Sequence, residues 1–408
     1  MSSDQPCRSC ESANMESFLN LGVTPLADGL LREEHLKMHE PTYPLEVAFC
    51  NDCGLMQILE TVSPEKLFCD DYPYYSSFSE YLLKHSRDNV LDLVKRRGLS
   101  NDSFVIELAS NDGYLLKNYV EQGISVMGID PADGPAKAAV EAGVPTLNTF
   151  FTKELALQLK EEGKSADVIH GNNVLAHVPD TNGFVEGIGI LLKDNGVAVI
   201  EVPYAKDLID HIEFDTIYHE HLCYFTVTAL DNLFRRHSLY LNDIKRLPIH
   251  GGSLRLYVEK HENVSNAVKD LLALEKKEGI DRIDYYRDFS QRVEAFKEKL
   301  LGLLTDLKAK GHSIAAYGAA AKGSTMINYV GIGVDIVEFV VDKNVHKQGR
   351  YMPGKHIPIY DPKKLMEDKP DYVLILPWNF ADEILQQQQA FRDSGGKFIV
   401  PIPEPKII

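Results

Sequence analysis

The arrangement of hydrophobic and polar positions places an α/β region at the centre of the chain. From Phe104 onwards, short apolar runs alternate with helical stretches, which predicts a mostly parallel sheet. Its predicted strands are Phe104–Leu108, Ser125–Ile129, one near Pro145–Leu147, Asp167–His170, Gly196–Val202, one near Leu239–Arg246 and Ser253–Glu259. Residues 265–310 are helical in composition with one charged face, and we interpret them as a connector.

A second, shorter α/β segment begins at Ser313. Its predicted strands are residues 313–318, Ile336–Val341, Tyr372–Leu376 and one near Lys397–Pro401, with a helix from Ala319 and a turn-rich stretch over 344–362. Residues 1 to about 68 show little regular periodicity, so we expect a bound metal to substitute for a hydrophobic core there. The pattern predicts an α/β protein with domains 1–68, 69–300 and 301–408.

The cysteines of the first stretch form two pairs with the spacing of zinc knuckles. Cys7 and Cys10 are separated by two residues, as are Cys50 and Cys53. This spacing lets both sulfur atoms of a pair face one ion, and four thiolates are typical of closed structural zinc sites. A redox dithiol is disfavoured, because neither pair follows a strand and opens a helix. Residues 1–68 are therefore predicted to be a structural zinc module.

Length and charge narrow the class of protein. The 408 residues exceed what one core usually serves, and a hydrophobic content of 44% can fill two or three domains. The net charge of −17 disfavours nucleic-acid or anionic-membrane partners, so any phosphate site is expected to be local. The N-terminus lacks signal-peptide features, and no apolar run reaches the roughly 18 residues that span a bilayer. We expect a cytoplasmic enzyme; the oligomeric state is left open and a monomer is compatible.

The densest group of acids and bases lies between Glu213 and Phe225, in the sequence EFDTIYHEHLCYF. It contains Asp215, Tyr218, His219, Glu220, His221 and Tyr224. Ordinary pKa values of about 4 for the carboxyls, about 6.5 for His and about 10 for Tyr allow this segment to accept and release protons near neutral pH. For His219 a structural hydrogen bond is the main interpretation. If the segment is extended, His219 and His221 share a face, and metal chelation is the alternative.

The first strand of the α/β region leads into a turn that suits a ligand. Glu107 lies in this strand, and the turn that follows contains Ala109, Ser110, Asn111, Asp112 and Gly113. It lacks G-x-G-x-x-G, which disfavours a nicotinamide dinucleotide. Asp130 ends the second strand, where a carboxylate accepts hydrogen bonds from both hydroxyls of a ribose; capping the next helix is the alternative.

An acidic strand end without phosphate-binding glycines fits a nucleoside without phosphates, and S-adenosylmethionine is such a molecule. Glu107 and Asp112 are expected to face its positive charges, and the segment from Asn148 its adenine. Asn172 and Asn173 follow the fourth strand as further polar contacts.

The second α/β segment contains a candidate anion site. Tyr317, Gly318 and Lys322 lie at a strand-to-helix turn, where free backbone N–H groups and the helix dipole favour an anion. Lys322 precedes Gly323, whereas a Walker A loop has its Lys after the second Gly, so hydrolysis of a nucleoside triphosphate is disfavoured. Helix-on-sheet packing by small residues is the alternative. Asp342, Trp378 and Asn379 follow later strands, where they can contact a nucleoside or cover the sheet edge.

The ordered series of motifs resembles the S-adenosylmethionine-dependent nucleotide-sugar C-3 methyltransferases of deoxysugar biosynthesis, over essentially the whole chain. The series comprises the two cysteine pairs, ELASNDG, GNNVLAHVPD, EFDTIYHEHLCYF, HGGSLR and YGAAAKG. The resemblance implies a zinc-binding domain, a central Rossmann-like methyltransferase domain and a C-terminal Rossmann-like domain that helps to hold a sugar nucleotide. It implies a 4-keto-deoxyhexose substrate, commonly linked to thymidine diphosphate.

The resemblance also implies catalytic roles. His221 is expected to be the base at C-3, Glu220 to orient the imidazole or the sugar, and Tyr218 to donate to the C-4 oxygen as charge develops. Tyr72 and His177 are expected near the same cleft as further donors or shuttles. Two other hypotheses remain at this point, a sugar-nucleotide oxidoreductase with a nicotinamide cofactor and a non-catalytic zinc-bearing scaffold.

Overall fold

The computed structural model describes residues 5–68 and 75–408, and its strands form three sheets. The strands are β1 (Met15–Pro25), β2 (Thr42–Cys50), β3 (Met56–Ile58), β4 (Phe104–Leu108), β5 (Ser125–Asp130), β6 (Thr146–Asn148), β7 (Ala166–Asn172), β8 (Leu192–Pro203), β9 (Cys223–Tyr224), β10 (Tyr240–Leu247), β11 (Ser253–Glu259), β12 (Ile314–Tyr317), β13 (Val340–Val341), β14 (Ile359–Tyr360), β15 (Tyr372–Ile375), β16 (Lys397–Val400) and β17 (Lys406–Ile407).

The helices connect and cover these sheets. They are α1 (Pro64–Phe68), α2 (Glu80–Arg97), α3 (Lys117–Val120), α4 (Asp133–Glu141), α5 (Lys153–Glu161), α6 (Thr181–Leu191), α7 (Ala205–Asp210), α8 (Val227–Arg236), α9 (Asn266–Glu278), α10 (Phe289–Ala309), α11 (Ala321–Val330), α12 (Lys364–Asp368), α13 (Ala381–Gln387) and α14 (Gln389–Asp393). Within the described ranges, no helix has the length and apolar character needed to cross a bilayer.

The central sheet has seven strands in the order β10-β11-β8-β7-β4-β5-β6, which confirms the seven predicted strands. Strands β6, β5, β4, β7 and β8 are parallel, and the hairpin β10–β11 adds to β8 in antiparallel orientation. The strand order reverses at β4, which has β5 on one side and β7 on the other. A crevice therefore opens beyond the carboxyl ends of β4 and β7, where open α/β sheets bind ligands.

The C-terminal sheet repeats this plan on a smaller scale, in the order β14-β13-β12-β15-β16-β17. All of its pairs are parallel except β16–β17. The predicted strand Ile336–Val341 is wrong in length, because Ile336 and Val337 donate their N–H groups to the carbonyl of Gly333 in a turn before β13. The side chains of Ile336 and Val337 are buried although they lie outside the strand. Strand β14 lies inside the stretch that we predicted as turns alone.

The N-terminal residues form a sheet with its own buried side chains, so the prediction that a metal substitutes for a core was wrong. The buried apolar residues of this sheet include Leu19, Leu21, Leu45, Val47, Phe49, Met56 and Ile58, and they are continuous with the central core. Pairing of β1 with β2 shifts register twice, once after Ser17 and once after Asn20. Each shift moves the following side chains to the other face, which hides the alternation in the sequence.

The predicted helical connector is present as α9 and α10, and it includes a structural carboxylate. Glu275 in α9 is fully buried and accepts hydrogen bonds from Tyr204 Oη at 2.7 Å and from the N–H groups of Val227 at 2.7 Å and Thr228 at 2.8 Å. It thereby satisfies the free donors at the start of α8. Residue 300, where we placed a domain boundary, lies within α10, and the division into three domains remains a proposal.

Candidate active site

A cavity of about 500 Å³ is lined by residues of the N-terminal sheet region, the central domain and the C-terminal domain. The predicted site residues on its wall are Ala109, Asn111, Asp130, Asn172, Asn173, His177, Tyr218, Glu220, His221, Tyr317, Gly318, Lys322, Asp342 and Asn379. The predicted residues Glu107, Ser110, Asp112, Gly113, Asn148 and Trp378 are placed behind or beside this wall. Tyr72 falls outside the described residues. Most of the predicted groups are thus brought to one cavity.

The turn after β4 is tightly curled. Ala109 has a φ of 56° and Asn111 a φ of 49°, a left-handed conformation that is uncommon for non-glycine residues. The N–H of Asn111 donates to Asp130 Oδ2 at 2.8 Å, and its side-chain oxygen accepts from the N–H of Ser76 at 2.8 Å. Asp130 therefore holds this turn at the cavity wall.

Asp130 accepts a second backbone hydrogen bond, from the N–H of Ala132 to Oδ1 at 2.9 Å. Burial raises the pKa of this carboxyl to about 6, although both N–H donors favour the charged form. Each carboxylate oxygen has another lone pair, so Asp130 can accept hydroxyl groups from a ligand in the cavity. The position fits the ribose of S-adenosylmethionine.

The carboxyl of Glu107 is buried behind this turn, and neither of its oxygens has a hydrogen-bond partner among the described residues. Burial raises its pKa well above the usual value, and the charges of Asp130 and Asp112 raise it further. Oδ1 of Asp112 and Oδ1 of Asn172 are also buried, and the described ranges of the chain offer neither of them a partner. Because buried acceptors are normally satisfied, this donor-poor region fits the ammonium and sulfonium charges of S-adenosylmethionine.

Three predicted cofactor residues have packing roles. Gly113 packs closely on Val144, because a Cβ added at Gly113 would lie 3.0 Å from Val144 Cγ2. Ser110 is buried against Gly128, where an added Cβ would collide with the Ser110 hydroxyl group. The side chain of Asn148 donates to the carbonyl of Asp130 at 3.1 Å. Phe150 and Phe151 line the cavity nearby and offer an apolar surface for a purine.

The acid–base segment folds as a turn in which the N–H of His221 donates to the carbonyl of Tyr218 at 2.9 Å. His221 Nδ1 donates to the carbonyl of Thr216 at 2.8 Å, because a carbonyl can only accept. This bond selects the tautomer whose Nε2 carries the lone pair. Nε2 lies 3.0 Å from Tyr218 Oη and accepts a hydrogen bond from its hydroxyl group. The segment thus presents a phenol and an imidazole as one hydrogen-bonded pair.

The two neighbouring histidines have different environments. The ring of His177 lies 4.7 Å from that of His221, and burial lowers its pKa to about 4, so it is neutral near pH 7. His219 Nε2 donates to the carbonyl of Pro44 at 3.1 Å, which confirms its structural interpretation. His219 and His221 therefore contact different groups. In the described parts of the chain, only the cysteine cluster is arranged like metal ligands.

Glu220 lines the cavity together with Asp28, a residue that the sequence did not single out. Glu220 Oε1 accepts from the N–H of Asp28 at 3.3 Å, whereas Oε2 is buried and has no partner within residues 5–68 and 75–408. Burial and the charge of Asp28 raise the pKa of Glu220 to about 8. Asp28 follows β1 in a loop without motif, and no local signal in the sequence could have identified it.

On the C-terminal side, Asp342 repeats the arrangement of Asp130. Its carboxylate accepts from the N–H of Ala319 at 2.7 Å, in the turn after β12, and from the N–H of Asn344 at 2.8 Å. Lys322, in the first turn of α11, lies on the same wall with its Nζ 4.6 Å from the ring centre of Trp378. This wall combines a strand-end carboxylate with a cation.

Trp378 connects this wall to the acid–base segment. Its Nε1 donates to Asp215 Oδ2 at 2.8 Å. Burial raises the pKa of Asp215 to about 6 and that of Glu213 to about 8, and the charge of Lys322 opposes both changes. An added Cβ at Gly251 collides with the Glu213 carboxylate, so the glycines of HGGSLR make room for buried acids.

The four cysteines of the N-terminal module converge as predicted. Their sulfur atoms all lie within 4.8 Å of one another, with Cys7–Cys53 and Cys10–Cys50 at 3.5 Å. Tetrahedral zinc with bonds of about 2.3 Å places its sulfur ligands about 3.8 Å apart, so the cluster fits zinc. Asn232 of α8 donates to the carbonyl of Cys53 at 3.1 Å and attaches the site to the central domain.

The zinc module also supports the acid–base segment. Strand β9, at the end of that segment, pairs with β3 through Met56 and Gln57. The N–H of Ile58 donates to the carbonyl of Leu222 at 3.0 Å. The acid–base segment is therefore held from both sides, because Thr325 Oγ1 of α11 also donates to the carbonyl of Ile217 at 3.2 Å.

Three family models match successive parts of the chain. They describe a zinc binding domain at residues 7–68, a methyltransferase domain at 78–242 and the C-methyltransferase C-terminal domain at 248–403. The C-methyltransferase NovU of Streptomyces niveus is 36% identical over 406 residues, which cover 98% of this chain and 96% of that protein. These matches favour methyl transfer over the nicotinamide-dependent and scaffold hypotheses.

More distant relatives share part of the chain. A ubiquinone biosynthesis O-methyltransferase of Azorhizobium caulinodans is 24% identical over 151 residues, covering 36% of this chain and 54% of that protein. The crystal structure of the 1,6-didemethyltoxoflavin-N1-methyltransferase of Burkholderia thailandensis has bound 1,6-didemethyltoxoflavin and S-adenosylhomocysteine. That protein is 20% identical, the match covers 44% of this chain and 78% of that chain, and the TM-score is 0.34. The full-length match, the three domain matches and the four-cysteine cluster establish that this chain belongs to the family of zinc-containing, S-adenosylmethionine-dependent C-methyltransferases.

Proposed function

We propose that the protein methylates C-3 of a 4-keto-deoxyhexose that is linked to a nucleoside diphosphate, with thymidine as the expected nucleoside. One observation carries the proposal: a single cavity joins an acidic wall on the central domain, the phenol–imidazole pair and a lysine-bearing wall on the C-terminal domain. Each wall suits one of the two ligands, and the pair lies on the same cavity.

S-adenosylmethionine, when bound, supplies the methyl group as an electrophile. Asp130 would hold the ribose hydroxyls, while Glu107 and Asp112 would face the positive charges of the ligand. Asn172 and Asn173 follow β7, and with the segment after Asn148 they complete this wall. The orphaned oxygens of Glu107, Asp112 and Asn172 support this assignment.

The sugar carbon becomes a nucleophile only when its proton is removed and a neighbouring carbonyl stores the charge. In our proposal His221 Nε2 accepts the proton from C-3, and the electron pair of the broken C–H bond forms the enolate. Tyr218 turns its hydroxyl from Nε2 to the C-4 oxygen and stabilises the negative charge there. The carbonyl of Thr216 keeps Nδ1 protonated, so Nε2 is the basic atom throughout.

Neutral His177 supports this geometry, because its ring packs edge-on against His221 without adding a charge. Tyr72 stays a proposed further donor. Glu220 is proposed to contact the sugar, because it lies on the cavity wall and its Oε2 has no hydrogen-bond partner among the described residues.

The nucleotide end of the substrate is proposed to occupy the C-terminal wall. Lys322 and the turn with Tyr317 and Gly318 would bind the diphosphate, where α11 begins with free N–H groups. Asp342 and Asn379 would contact the nucleoside, and Asn379 Oδ1 is a buried acceptor that has no partner in the part of the chain that the structure describes. Trp378, held by Asp215, would fix the position of Lys322 through its ring.

The test is a transfer experiment with ¹³C-methyl S-adenosylmethionine and a panel of 4-keto-6-deoxy nucleotide sugars that differ in the base. We expect a new carbon–carbon bond between the labelled methyl group and C-3, seen by one-bond carbon coupling in a substrate labelled at C-3. Label found only on oxygen, or on another carbon, contradicts the proposal.

A further inference from the structure

The N-terminal module contributes Asp28 to the cavity wall, beside a catalytic-segment carboxyl. The N–H of Asp28 donates to Glu220 Oε1 at 3.3 Å, and both residues line the cavity. This contact joins a loop of the first sheet to the turn that contains His221. Asp28 is therefore placed where it can act on the chemistry through Glu220.

The other oxygen of Glu220 requires an explanation. Oε2 is buried and has no hydrogen-bond partner among the described residues, and Glu220 as a whole is only 4% exposed. An ionised carboxylate in this position loses its hydration without gaining a donor, which is unfavourable. A proton on Oε2 removes the charge and makes this atom a hydrogen-bond donor. The donor then requires an acceptor in the cavity.

The charged groups around the pair indicate which carboxyl holds the proton. Lys347 donates from Nζ to the carbonyl of Ala319 at 2.7 Å, and its charge opposes the rise that burial causes in the pKa of Asp28. Asp342 adds a smaller upward effect on the pKa of Asp28. The pKa of Asp28 is raised overall, because burial outweighs the charge of Lys347. That positive charge nevertheless favours the ionised form of Asp28, and a charge on Asp28 disfavours a second charge on Glu220.

Two further titratable groups that interact with Glu220 are neutral near pH 7. Burial lowers the pKa of His177 to about 4, so its ring is neutral. Burial raises the pKa of Tyr224 well above its usual value, so its hydroxyl stays protonated. Burial and Asp28 together raise the pKa of Glu220 to about 8.

We propose that Glu220 works in its protonated form, donating from Oε2 to an oxygen of the sugar, and that Asp28 is a positioning residue that keeps the proton on Glu220. This inference rests on the proposed sugar substrate and deepens it, because it requires a sugar oxygen within reach of Glu220. It also gives the N-terminal module a part in substrate recognition in addition to its zinc site.

The experiment compares pH profiles of kcat/KM for the wild type, Asp28→Asn, Glu220→Gln and the control Glu34→Gln, an exposed acid of the same module. Wild-type activity is expected to fall as the pH rises through about 8, because Glu220 then loses its donor proton. Asp28→Asn removes the repulsion, lowers the pKa of Glu220 and moves this alkaline limb down by about one pH unit. Glu220→Gln keeps a donor, so it should retain activity within about tenfold and lose the limb. Glu34→Gln should match the wild type.

Two results overturn the inference. One is a Glu220→Gln enzyme that is inactive at every pH while it still binds S-adenosylmethionine, since Glu220 then acts as a base. The other is an Asp28→Asn profile that superimposes on that of the wild type. Infrared spectra give a readout that is independent of turnover. The protonated-carboxyl band at pH 7 should be weaker in Glu220→Gln than in the wild type, whereas the contributions of Glu107 and Glu213 should be present in both proteins. Methyl transfer to C-3 can still occur if Glu220 is not the proposed donor. Failure of this inference and failure of the proposed function can therefore be told apart.

Discussion

In both the central and the C-terminal domain, the second strand ends with an aspartate that accepts two backbone hydrogen bonds. The charges around these two aspartates are opposite. Asp130 and Asp342 each accept one N–H from the turn after the preceding strand and one from the residue two positions later. Behind Asp130 lie the carboxyls of Glu107 and Asp112. Around Asp342, the cavity wall instead carries Lys322, Lys343 and Lys347.

We propose that this difference sorts the two ligands of the proposed reaction within one cavity. Within the part of the chain that the structure describes, the central domain contributes no Lys or Arg to the cavity wall, whereas the C-terminal domain contributes three lysines. In the proposed function a cationic methyl donor is attracted to the first wall and an anionic diphosphate to the second, because opposite charges in a poorly hydrated cleft interact strongly. The fold provides the turns, and the local charges assign the ligands.

The largest expected effect is a loss of turnover without a loss of ligand affinity, which distinguishes the chemical step from binding at the two walls. His221→Asn should lower kcat by about 10²- to 10⁴-fold, because it removes the proposed base. The dissociation constants of both ligands, measured by calorimetry, should stay within about threefold, since neither wall loses a contact. His261→Asn, a change at an exposed histidine, is the control and should leave kcat unaffected. A large loss of affinity in His221→Asn would place this residue in a wall.

The next largest effect is expected from the same substitution made at the equivalent aspartate of each wall. Asp130→Asn should weaken binding of S-adenosylmethionine by about tenfold, because a charge-assisted acceptor is lost, and should spare the nucleotide sugar. Asp342→Asn should do the reverse, so each variant is the control for the other. If both variants weaken the same ligand, the two walls do not sort ligands by charge.

A comparable or smaller effect concerns the cation of the C-terminal wall. Lys322→Met should weaken binding of the nucleotide sugar by about fivefold to tenfold and reduce the salt dependence of that binding, because one phosphate contact is lost. S-adenosylmethionine binding should not weaken. Lys310→Met, at an exposed lysine, is the control. Unchanged affinity and salt dependence in Lys322→Met would show that this lysine only balances Glu213 and Asp215.

The smallest expected effect on ligands comes from a buried acid outside both walls. Glu275→Gln should lower the free energy of unfolding by about 2 kcal/mol, since an amide nitrogen cannot accept the hydrogen bonds at the start of α8. Both dissociation constants should remain unchanged. The exposed Asp270→Asn on the same helix should leave stability within about 0.5 kcal/mol. A loss of affinity for either ligand in Glu275→Gln would contradict the purely structural role.

The parts of the fold that depend on local pattern could be predicted from the sequence. The central strands were predictable because each is a short apolar run, and β4 and β11 have the predicted bounds. The cysteine pairs were predictable because two-residue spacing is itself the geometry of a knuckle. Asp130 and Asp342 were identified because the carboxyl ends of parallel strands meet at one edge of a sheet.

The parts that depend on packing between distant segments could not be predicted. The pairing of β9 with β3 joins segments that lie far apart in sequence, and neither contains a signal for the other. Asp28 is one acid in a loop until the first sheet packs against Glu220. The bulges of β1 hide its alternation, and the apolar run at Ile336 indicated burial but not strand pairing.

The central claim, that the cavity removes a proton from the carbon next to the sugar ketone, can be tested without methyl transfer. Wild-type protein, the nucleotide sugar and S-adenosylhomocysteine are incubated in heavy water, and deuterium at C-3 is measured by mass spectrometry and proton NMR. The account predicts deuterium at C-3 with the wild type and none above background with His221→Asn. Equal exchange with both proteins, or no exchange with the wild type under conditions that support turnover, would contradict it.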